Sequence, residues 1–425
     1  MVLTLQLFGG LIVIAALIQA LGGLVAQFAR ARRSRLMEDR KLALFDKQAD
    51  ILIKRAEADR ERSELTWAGK RKFRIDERRI VNMAGDICSF YLAPHDGGAL
   101  PPFLPGQFLT FELNIPDRPA PVVRCYSLSD SPHMRDRYRV SIKRLGPPPK
   151  AEPGTPGGLV SNFFHQNLKV GDVVDVMAPN GGFHLDIQSE RPVVLIGGGV
   201  GLTPVLSMLK WLSDTDSHRE TWFFYGARNS GDIALIDEIR GVTENKSHFH
   251  SVIVFSEPTD ECIEGKDYDL TGHLSVEAMK RYLDSSNYEF YVCGPPPMME
   301  AITRQLLDWG VPEEDIHFEA FGPASVKKVH KAEHPASGEE AGATVEFARS
   351  GKSVAWSAEA GSLLELADAN GVRISSGCRA GNCGTCATAV KEGKVSYLTR
   401  PSSKPAQGSA LVCIACPDGN VVLDA

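Results

Sequence analysis

Apolar and polar positions change rhythm several times along the chain. From Met1 to Ala29 there is no charged residue, and LFGGLIVIAALIQALGGLVAQFA is an almost unbroken apolar run. About 20 such residues span a bilayer as a helix, so the pattern predicts a transmembrane anchor over residues 1–29. Residues 30–66 contain no Pro or Gly and are rich in Ala, Leu, Glu, Lys and Arg, with Leu36, Leu44, Ile51 and Leu52 as one apolar stripe. They predict a helical stalk over 30–67, either standing off a membrane or lying along it. Past Trp67, short alternating runs such as PFLPGQFLTFEL and YRVSIKRL are broken by Gly, Pro and Asp. That texture predicts a small antiparallel β-barrel over 68–187. From residue 188 to 322, strand and helix patterns alternate, as in RPVVLIGGGVGLTPVLSMLKWL and YEFYVCGPPPMMEAITRQLLDW. This order predicts an α/β domain on a parallel sheet. A polar stretch at 323–340 reads as a linker, and 341–425 forms a last small domain.

The formal net charge of −6 hides an asymmetry. Residues 30–74 hold 15 Lys/Arg against 8 Asp/Glu, a net +7 that leaves −13 on the rest. A basic stretch beside an acidic body suits a membrane surface and gives no sign of nucleic acid binding. Arg30, Arg32, Arg33 and Arg35 follow the apolar run at once. By the positive-inside bias they predict a single-pass protein of the cell inner membrane with its folded domains in the cytoplasm. A signal peptide is the rival reading, but the run is long, has no basic start and is followed by no small-x-small cleavage site.

Candidate chemistry lies at the ends of the expected strands. In Arg124-Cys125-Tyr126-Ser127 the Arg and Tyr share one face of an extended segment. The guanidinium can pair with a phosphate, the ring can cover an isoalloxazine, and Ser127 can hydrogen-bond its edge. Gly157-Gly158-Leu159-Val160-Ser161 runs into Asn162-Phe163-Phe164-His165, expected as a first helical turn. Backbone N–H groups there suit a pyrophosphate, with Ser161 as an extra donor or a plain N-cap. Gly197, Gly198, Gly199 and Gly201 form a turn before a helix, suited to a phosphate-bearing ligand without being the G-x-G-x-x-G fingerprint. Arg228 and the Cys293-Gly294-Pro295 run follow apolar strands, at the carboxyl edge where open α/β sheets bind ligands. Nine cysteines in a long chain, four of them near its end, point to metal ligation rather than disulfides. Cys378, Cys383 and Cys386 in C-x4-C-x2-C spacing, with Cys413 downstream, form the plant-type [2Fe–2S] ligand pattern, and Cys416 competes for the fourth place.

RCYSLS, GGLVS, GGGVGLTP and YVCGPPPMM, in that order, resemble four motifs of the ferredoxin–NADP reductase superfamily. The resemblance implies FAD, with FMN as the alternative, held by Arg124, Tyr126, Ser127, Leu128, Lys143, Gly158, Val160 and Ser161. It implies a nicotinamide nucleotide held by Gly199, Thr203, Pro204, Arg228, Cys293, Gly294 and Pro295. Ser127, Thr203 and Cys293 would then stand at the hydride transfer, with Glu319 or Phe321 near the flavin. Tyr225-Gly226-Ala227-Arg228 followed by Asp232 resembles members that use NADH, with NADPH as the alternative through Arg228. LVCIACP resembles the ferredoxin ending in which the ligand lies four before a proline, which selects Cys413. VEFARSGKSVAW and GSLLELADANG resemble the opening hairpin and helix of a plant-type ferredoxin, hence a β-grasp domain. The domain order resembles NAD(P)H-dependent reductase components, so the implied partner is an oxygenase or other metalloenzyme. NYEFYVCGPPPMM and the apolar run also resemble the reductase subunit of the sodium-pumping NADH:quinone reductase. That subunit places its ferredoxin first, and it makes quinone or a membrane complex the second candidate acceptor.

Overall fold

The computed structural model describes residues 65–425, except 119–120, 148–151, 153, 245, 320, 322–341, 382, 399–400, 402 and 404, with scattered helical positions between 19 and 64. The chain divides into two units, Met1–Glu64 and Leu65–Ala425. In the first, residues 56–64 are helical, braced on their exposed side by Arg60–Glu64 at 2.7 Å and Asp59–Arg62 at 2.8 Å. The anchor expected over 1–29 and most of the stalk lie outside the described residues. Among the described residues, no helix is long and apolar enough to cross a membrane.

The second unit holds the three expected folded layers: an antiparallel barrel, a parallel α/β sheet and a mixed sheet at the C-terminus. It opens on Trp67, read above as the end of the stalk. Its indole donates to the Val176 carbonyl at 3.1 Å and its ring lies 5.6 Å from Phe73, so it belongs to the barrel. Strand β1 (Lys70–Ile80) buries Phe73 and Ile75 between exposed Lys72 and Arg74, the period-two alternation of a half-buried strand. With β2 (Ile87–Pro94), β3 (Phe108–Leu113), β4 (Val122–Ser127), β5 (Tyr138–Lys143) and β6 (Val173–Asn180) it forms a sheet in the order β4-β3-β6-β1-β2-β5. An antiparallel bridge from Leu128 to Val140 joins the two edges and closes the barrel. Helix α1 (Leu159–Gln166) plugs one end with Phe164, whose ring sits 5.2 Å from Phe90 and 5.3 Å from both Phe111 and Tyr126. The helix starts three residues before the expected Asn162. Gly158 is extended, and its carbonyl already accepts the Asn162 N–H at 3.0 Å, which closes the first turn early.

The α/β layer has β7 (Val193–Gly198), β8 (Thr221–Ala227), β9 (Phe249–Phe255), β10 (Leu270–Thr271), β11 (Glu289–Cys293) and β12 (Ile316–Glu319), all parallel, in the order β10-β9-β8-β7-β11-β12. Strands β7 and β11 are buried along their whole length, which explains their continuous apolar runs. Helices α2 (Leu202–Asp214) and α3 (Ile236–Thr243) pack against Leu195 and Phe223 on one face. Helices α4 (Val276–Met279) and α5 (Pro296–Asp308) pack against Val194, Ile196 and Phe224 on the other. The last sheet, β13 (Thr344–Phe347), β14 (Lys352–Ala355), β15 (Ala387–Tyr397), β16 (Ser409–Leu411) and β17 (Ala415–Leu423), runs β14-β13-β17-β15-β16 with β13 and β17 parallel. Helix α6 (Leu363–Ala369) packs into this sheet, its N-terminus capped by the Ser362 hydroxyl accepting the Glu365 N–H at 3.2 Å.

The barrel and the α/β layer are locked by alternating charges. Arg139 of β5, 2% exposed, donates to Glu238 of α3 at 2.6 Å and lies 3.5 Å from Asp130. Lys210 of α2 pairs with the same Glu238 at 2.9 Å and with Asp130. Removing one partner of such a set strands the others in a low-dielectric space. Arg139→Met is therefore expected to cost about 3–5 kcal/mol, read as a drop in urea midpoint of the barrel and α/β transition.

Candidate active site

Strand β4 pairs with β3 so that Arg124 faces Phe111, Cys125 faces Thr110, Tyr126 faces Leu109 and Ser127 faces Phe108. Alternation sends Arg124 and Tyr126 to one side, where the Tyr126 ring rests 5.8 Å from Phe111. Arg124 remains exposed, its guanidinium donating to the neighbouring Val123 carbonyl at 2.7 Å. Ser127 and Leu128 are buried; the Leu128 N–H donates to Gln107 and ties the end of β4 to the barrel. Lys143 ends β5, half-buried and 3.3 Å from Asp86. Gly158 caps α1 without any side-chain cap, which leaves the first-turn N–H groups for an anion. Ser161 lies in that first turn, not at the cap: its hydroxyl donates to the Gly158 carbonyl at 3.1 Å and accepts from the Leu145 N–H at 3.2 Å. Val160 beside it is buried in the barrel. The Leu145 carbonyl passes so close that a Cβ on Gly157 would lie 2.4 Å from it. Next to this turn is an open cavity of about 430 Å³ lined by Ile115, Pro116, Leu159 and Phe163. The exposed cation of Arg124 and the uncapped helix N-terminus fit the phosphates of an FAD.

The nucleotide side is built on close backbone packing. β7 ends in a 3-10 turn, Gly199–Gly201, with Gly199 at φ +53°, and α2 follows. A Cβ on Gly201 would meet the Cys293 carbonyl oxygen at 2.4 Å, so the Cys293-Gly294 loop can lie on this turn only because Gly201 has none. Pro295 and Met298 crowd Gly198 in the same way. Thr203 is buried in the first turn of α2, its hydroxyl donating to Val200 at 3.1 Å, and Pro204 is buried behind it. Arg228, 62% exposed at the end of β8, is clasped by both oxygens of Asp232.

Three predicted residues converge from two domains. Cys293 and Glu319 end the paired strands β11 and β12 in register, and Ser127 reaches across from the barrel to donate to Glu319 at 3.4 Å. Burial pushes the Cys293 thiol up. Burial likewise drives Glu319 from its ordinary value up to about 8, against a small opposing effect of the Ser127 hydroxyl. Glu319 thus keeps its proton at neutral pH. Phe321, just beyond β12, is 41% exposed near the same edge.

At the C-terminus the four predicted cysteines form two pairs. Cys386 and Cys413 sulfurs are 3.0 Å apart. The Cys378 N–H donates to the Cys383 sulfur at 3.2 Å, and the Cys383 N–H returns to the Cys378 sulfur at 3.3 Å. Thr385 also donates to Cys383 at 3.1 Å. A two-iron centre takes two sulfurs per iron, so these two pairs of cysteines fit a [2Fe–2S] group. Cys416 turns away, towards the Gly361 carbonyl at 3.6 Å.

Sequence reasoning missed the buried lock of Asp130, Arg139, Lys210 and Glu238, for which an Arg inside the apolar strand YRVSIK is the available signal.

Residues 72–185 match the family of oxidoreductase FAD-binding domains, 195–304 that of oxidoreductase NAD-binding domains and 346–418 that of 2Fe-2S iron-sulfur cluster binding domains. A flavohemoprotein of Bordetella pertussis (strain Tohama I) is 37% identical over 290 residues, 67% of this chain and 69% of its own. The solved structure of phthalate dioxygenase reductase, a modular protein for electron transfer from pyridine nucleotides to [2Fe–2S], has a TM-score of 0.51 at 27% identity over 84% of this chain and 98% of that one. The flavohem-like FAD/NAD-binding domain of nitric oxide dioxygenase from Vibrio cholerae O1 biovar El Tor has a TM-score of 0.52 at 30% identity, over 60% of this chain and 100% of that one. The chain is an oxidoreductase with FAD-binding, NAD-binding and 2Fe-2S domains.

Glu319 links this site to stability. Its folded value is raised, so its contribution is complete below about 4.5, where the unfolded carboxyl is also protonated, and is lost as pH rises to about 8. In the protein stripped of cofactors, Glu319→Gln should flatten the fall in stability between those limits by up to about 1.4 kcal/mol per pH unit, read from urea midpoints across that range.

Proposed function

Because the chain belongs to the oxidoreductase family that joins FAD-binding and NAD-binding domains and includes the flavohemoproteins, we propose that it is a reductase component. It takes hydride from NADH and passes electrons one at a time, through its own iron–sulfur domain, to an oxygenase or other metalloenzyme. The observation that carries this reading is the position of the cluster loop, which lies against β4, the strand that supplies the flavin residues. When bound, a flavin converts a two-electron hydride into single electrons that a [2Fe–2S] group can take.

The protein's own residues then bind and orient. Arg124 supplies a cation for phosphate, and the α1 turn at Gly158, Val160 and Ser161 supplies N–H groups for the pyrophosphate, with Lys143 and Leu128 at the barrel rim. Tyr126 would cover a bound flavin ring, and Ser127, whose hydroxyl donates to Glu319 here, would line its edge. Thr203, Pro204, Gly199, Gly294 and Pro295 would hold the nicotinamide, with Cys293 beside its reacting end and Arg228 towards its adenosine. Asp232, which clasps Arg228, supports NADH over a 2′-phosphorylated nucleotide, since it already satisfies the Arg228 cation at the end of β8. Glu319 holds a proton beside Ser127 at neutral pH. Cys293 serves by shape, because a buried thiol raised above its usual value is a poor nucleophile.

The proposed location is the cytoplasmic face of the inner membrane, supported by the uncharged run over 1–29 and the four arginines after it. That run also favours a second acceptor, a membrane quinone.

In the purified full-length protein, anaerobic NADH should bleach the flavin and produce the EPR signal of a reduced [2Fe–2S] group. Cys383→Ser should lose that signal and keep NADH-to-flavin reduction; loss of both would sink the modular reading. Gentle isolation from membranes should bring down an iron- or haem-bearing protein that NADH reduces only when the cluster is intact. Quinol formation from added quinone with no such partner would transfer the reading to the quinone acceptor.

A further inference from the structure

The residue just before RCYSLS has no part in the reading above, yet it meets the loop that carries the cluster ligands. The pleat that turns Arg124 and Tyr126 one way turns Val123 the other, half-buried and opposite Glu112 of β3. Gly377, the residue before the ligand Cys378, lies against this second face: a Cβ there would stand 3.3 Å from Val123 Cγ1. The same Cβ would stand 3.0 Å from the Cys383 sulfur and 3.1 Å from the Thr385 hydroxyl. Side-chain carbons ordinarily rest about 3.5–4.0 Å apart. A side chain at 377 would therefore have to lift the loop from the strand or spread the loop itself. The loop is tied into one piece, because the Cys378 N–H donates to the Cys383 sulfur at 3.2 Å and the Cys383 N–H returns to the Cys378 sulfur at 3.3 Å. Whatever fixes the height of Gly377 above β4 thus places two of the four ligands.

We propose that the Val123–Gly377 contact is the stop at which the cysteine loop docks on the flavin strand, and that Val123 is a positioning residue for electron transfer from flavin to cluster. The inference rests on the reductase reading. Hydride brings two electrons and a proton to the flavin, which can release the electrons singly. Each transfer oxidises the flavin by one electron and reduces the cluster by one, and an external one-electron acceptor empties the cluster before the next. The proton goes to water. Electron transfer between two centres falls steeply as they are moved apart, so the height of the loop above β4 governs this step. Hydride transfer belongs to the other end of the site, where Ser127, Cys293 and Glu319 meet. Val123 points away from Arg124 and Tyr126, so bulk added to it presses on the loop and leaves the flavin-side residues of β4 in place. Gly377 is the complement: lacking a side chain, it lets the ligand loop come down onto the strand.

The test is anaerobic stopped-flow with NADH on the full-length, cofactor-loaded protein, joined to EPR of the partly reduced samples. Val123→Phe should slow the cluster-reduction phase several-fold while the NADH-to-flavin phase keeps its wild-type rate. It should also weaken the magnetic broadening that the reduced cluster imposes on the flavin radical, a direct measure of their separation, and leave the cluster's own EPR signal unchanged. A wild-type rate of cluster reduction in Val123→Phe, or a slower rate with wild-type broadening, would overturn the inference. Should Val123→Phe fail to fold or to hold a cluster, Gly377→Ala decides the matter, alone and combined with Val123→Ala. A several-fold slower cluster reduction in Gly377→Ala, more than half recovered when Val123 is trimmed, supports the docking stop. A wild-type rate in Gly377→Ala overturns it, as does a loss that Val123→Ala does not recover, since contacts with Cys383 and Thr385 would then account for the effect. A wild-type protein in which NADH produces no [2Fe–2S] signal would remove the reductase reading itself, whereas a cluster reduced without regard to Val123 removes this inference alone.

Discussion

Arg139 carries a full charge at 2% exposure, and the geometry of the flavin–nicotinamide junction depends on how that charge is balanced. A buried guanidinium without a carboxylate is intolerable in low dielectric, so the barrel accepts only an approach that brings Glu238 over β5. Lys210 and Asp130 complete an alternating ring, and backbone bonds from Ala84 to Gly231 and from Leu235 to Val81 tighten the same seam. The constraint is electrostatic and directional. An apolar interface of similar area would tolerate sliding, whereas alternating charges have one arrangement in which every carboxylate faces a cation.

With that orientation set, the rest of the site follows from strand ends. β11 and β12 are parallel neighbours, so Cys293 and Glu319 finish side by side, and the barrel delivers Ser127 to the same point. A junction fixed by charge holds these three side chains from two domains at one point. The high proton affinity of Glu319 comes from the same enclosure that shuts water out.

How far all this could be read from the chain depends on whether a constraint is local. The cysteine spacing, the glycines before α2 and the apolar runs of β7 and β11 are local, and they pointed to the cluster domain and the parallel sheet without tertiary information. The start of α1 was misplaced because the chain shows a polar Asn where a first turn is plausible, while the actual boundary depends on the extended Gly158. Ser127 and Glu319 are 192 positions apart, and their meeting has no signature in either neighbourhood. Glu238 lies in a short helix with acidic neighbours and reads as an ordinary surface charge. Only the Arg in the otherwise apolar β5 hints that a partner must come from elsewhere. The apolar run and basic stalk remain readings of composition, since they fall outside the described residues.

Strand β4 is a wall with a different tenant on each side. Its even positions, Arg124 and Tyr126, share the side on which Tyr126 rests against Phe111, and its odd position Val123 lies close to the cysteine loop at Gly377. Most strands with one working face survive a conservative change on the opposite face, because only solvent or filler lies there. Here a slip of a single residue against β3 would exchange the two faces at once, turning the cysteine inward and the arginine onto the iron–sulfur loop. The six residues of β4 therefore serve two layers of the fold at once, and neither side of the strand can drift without the other.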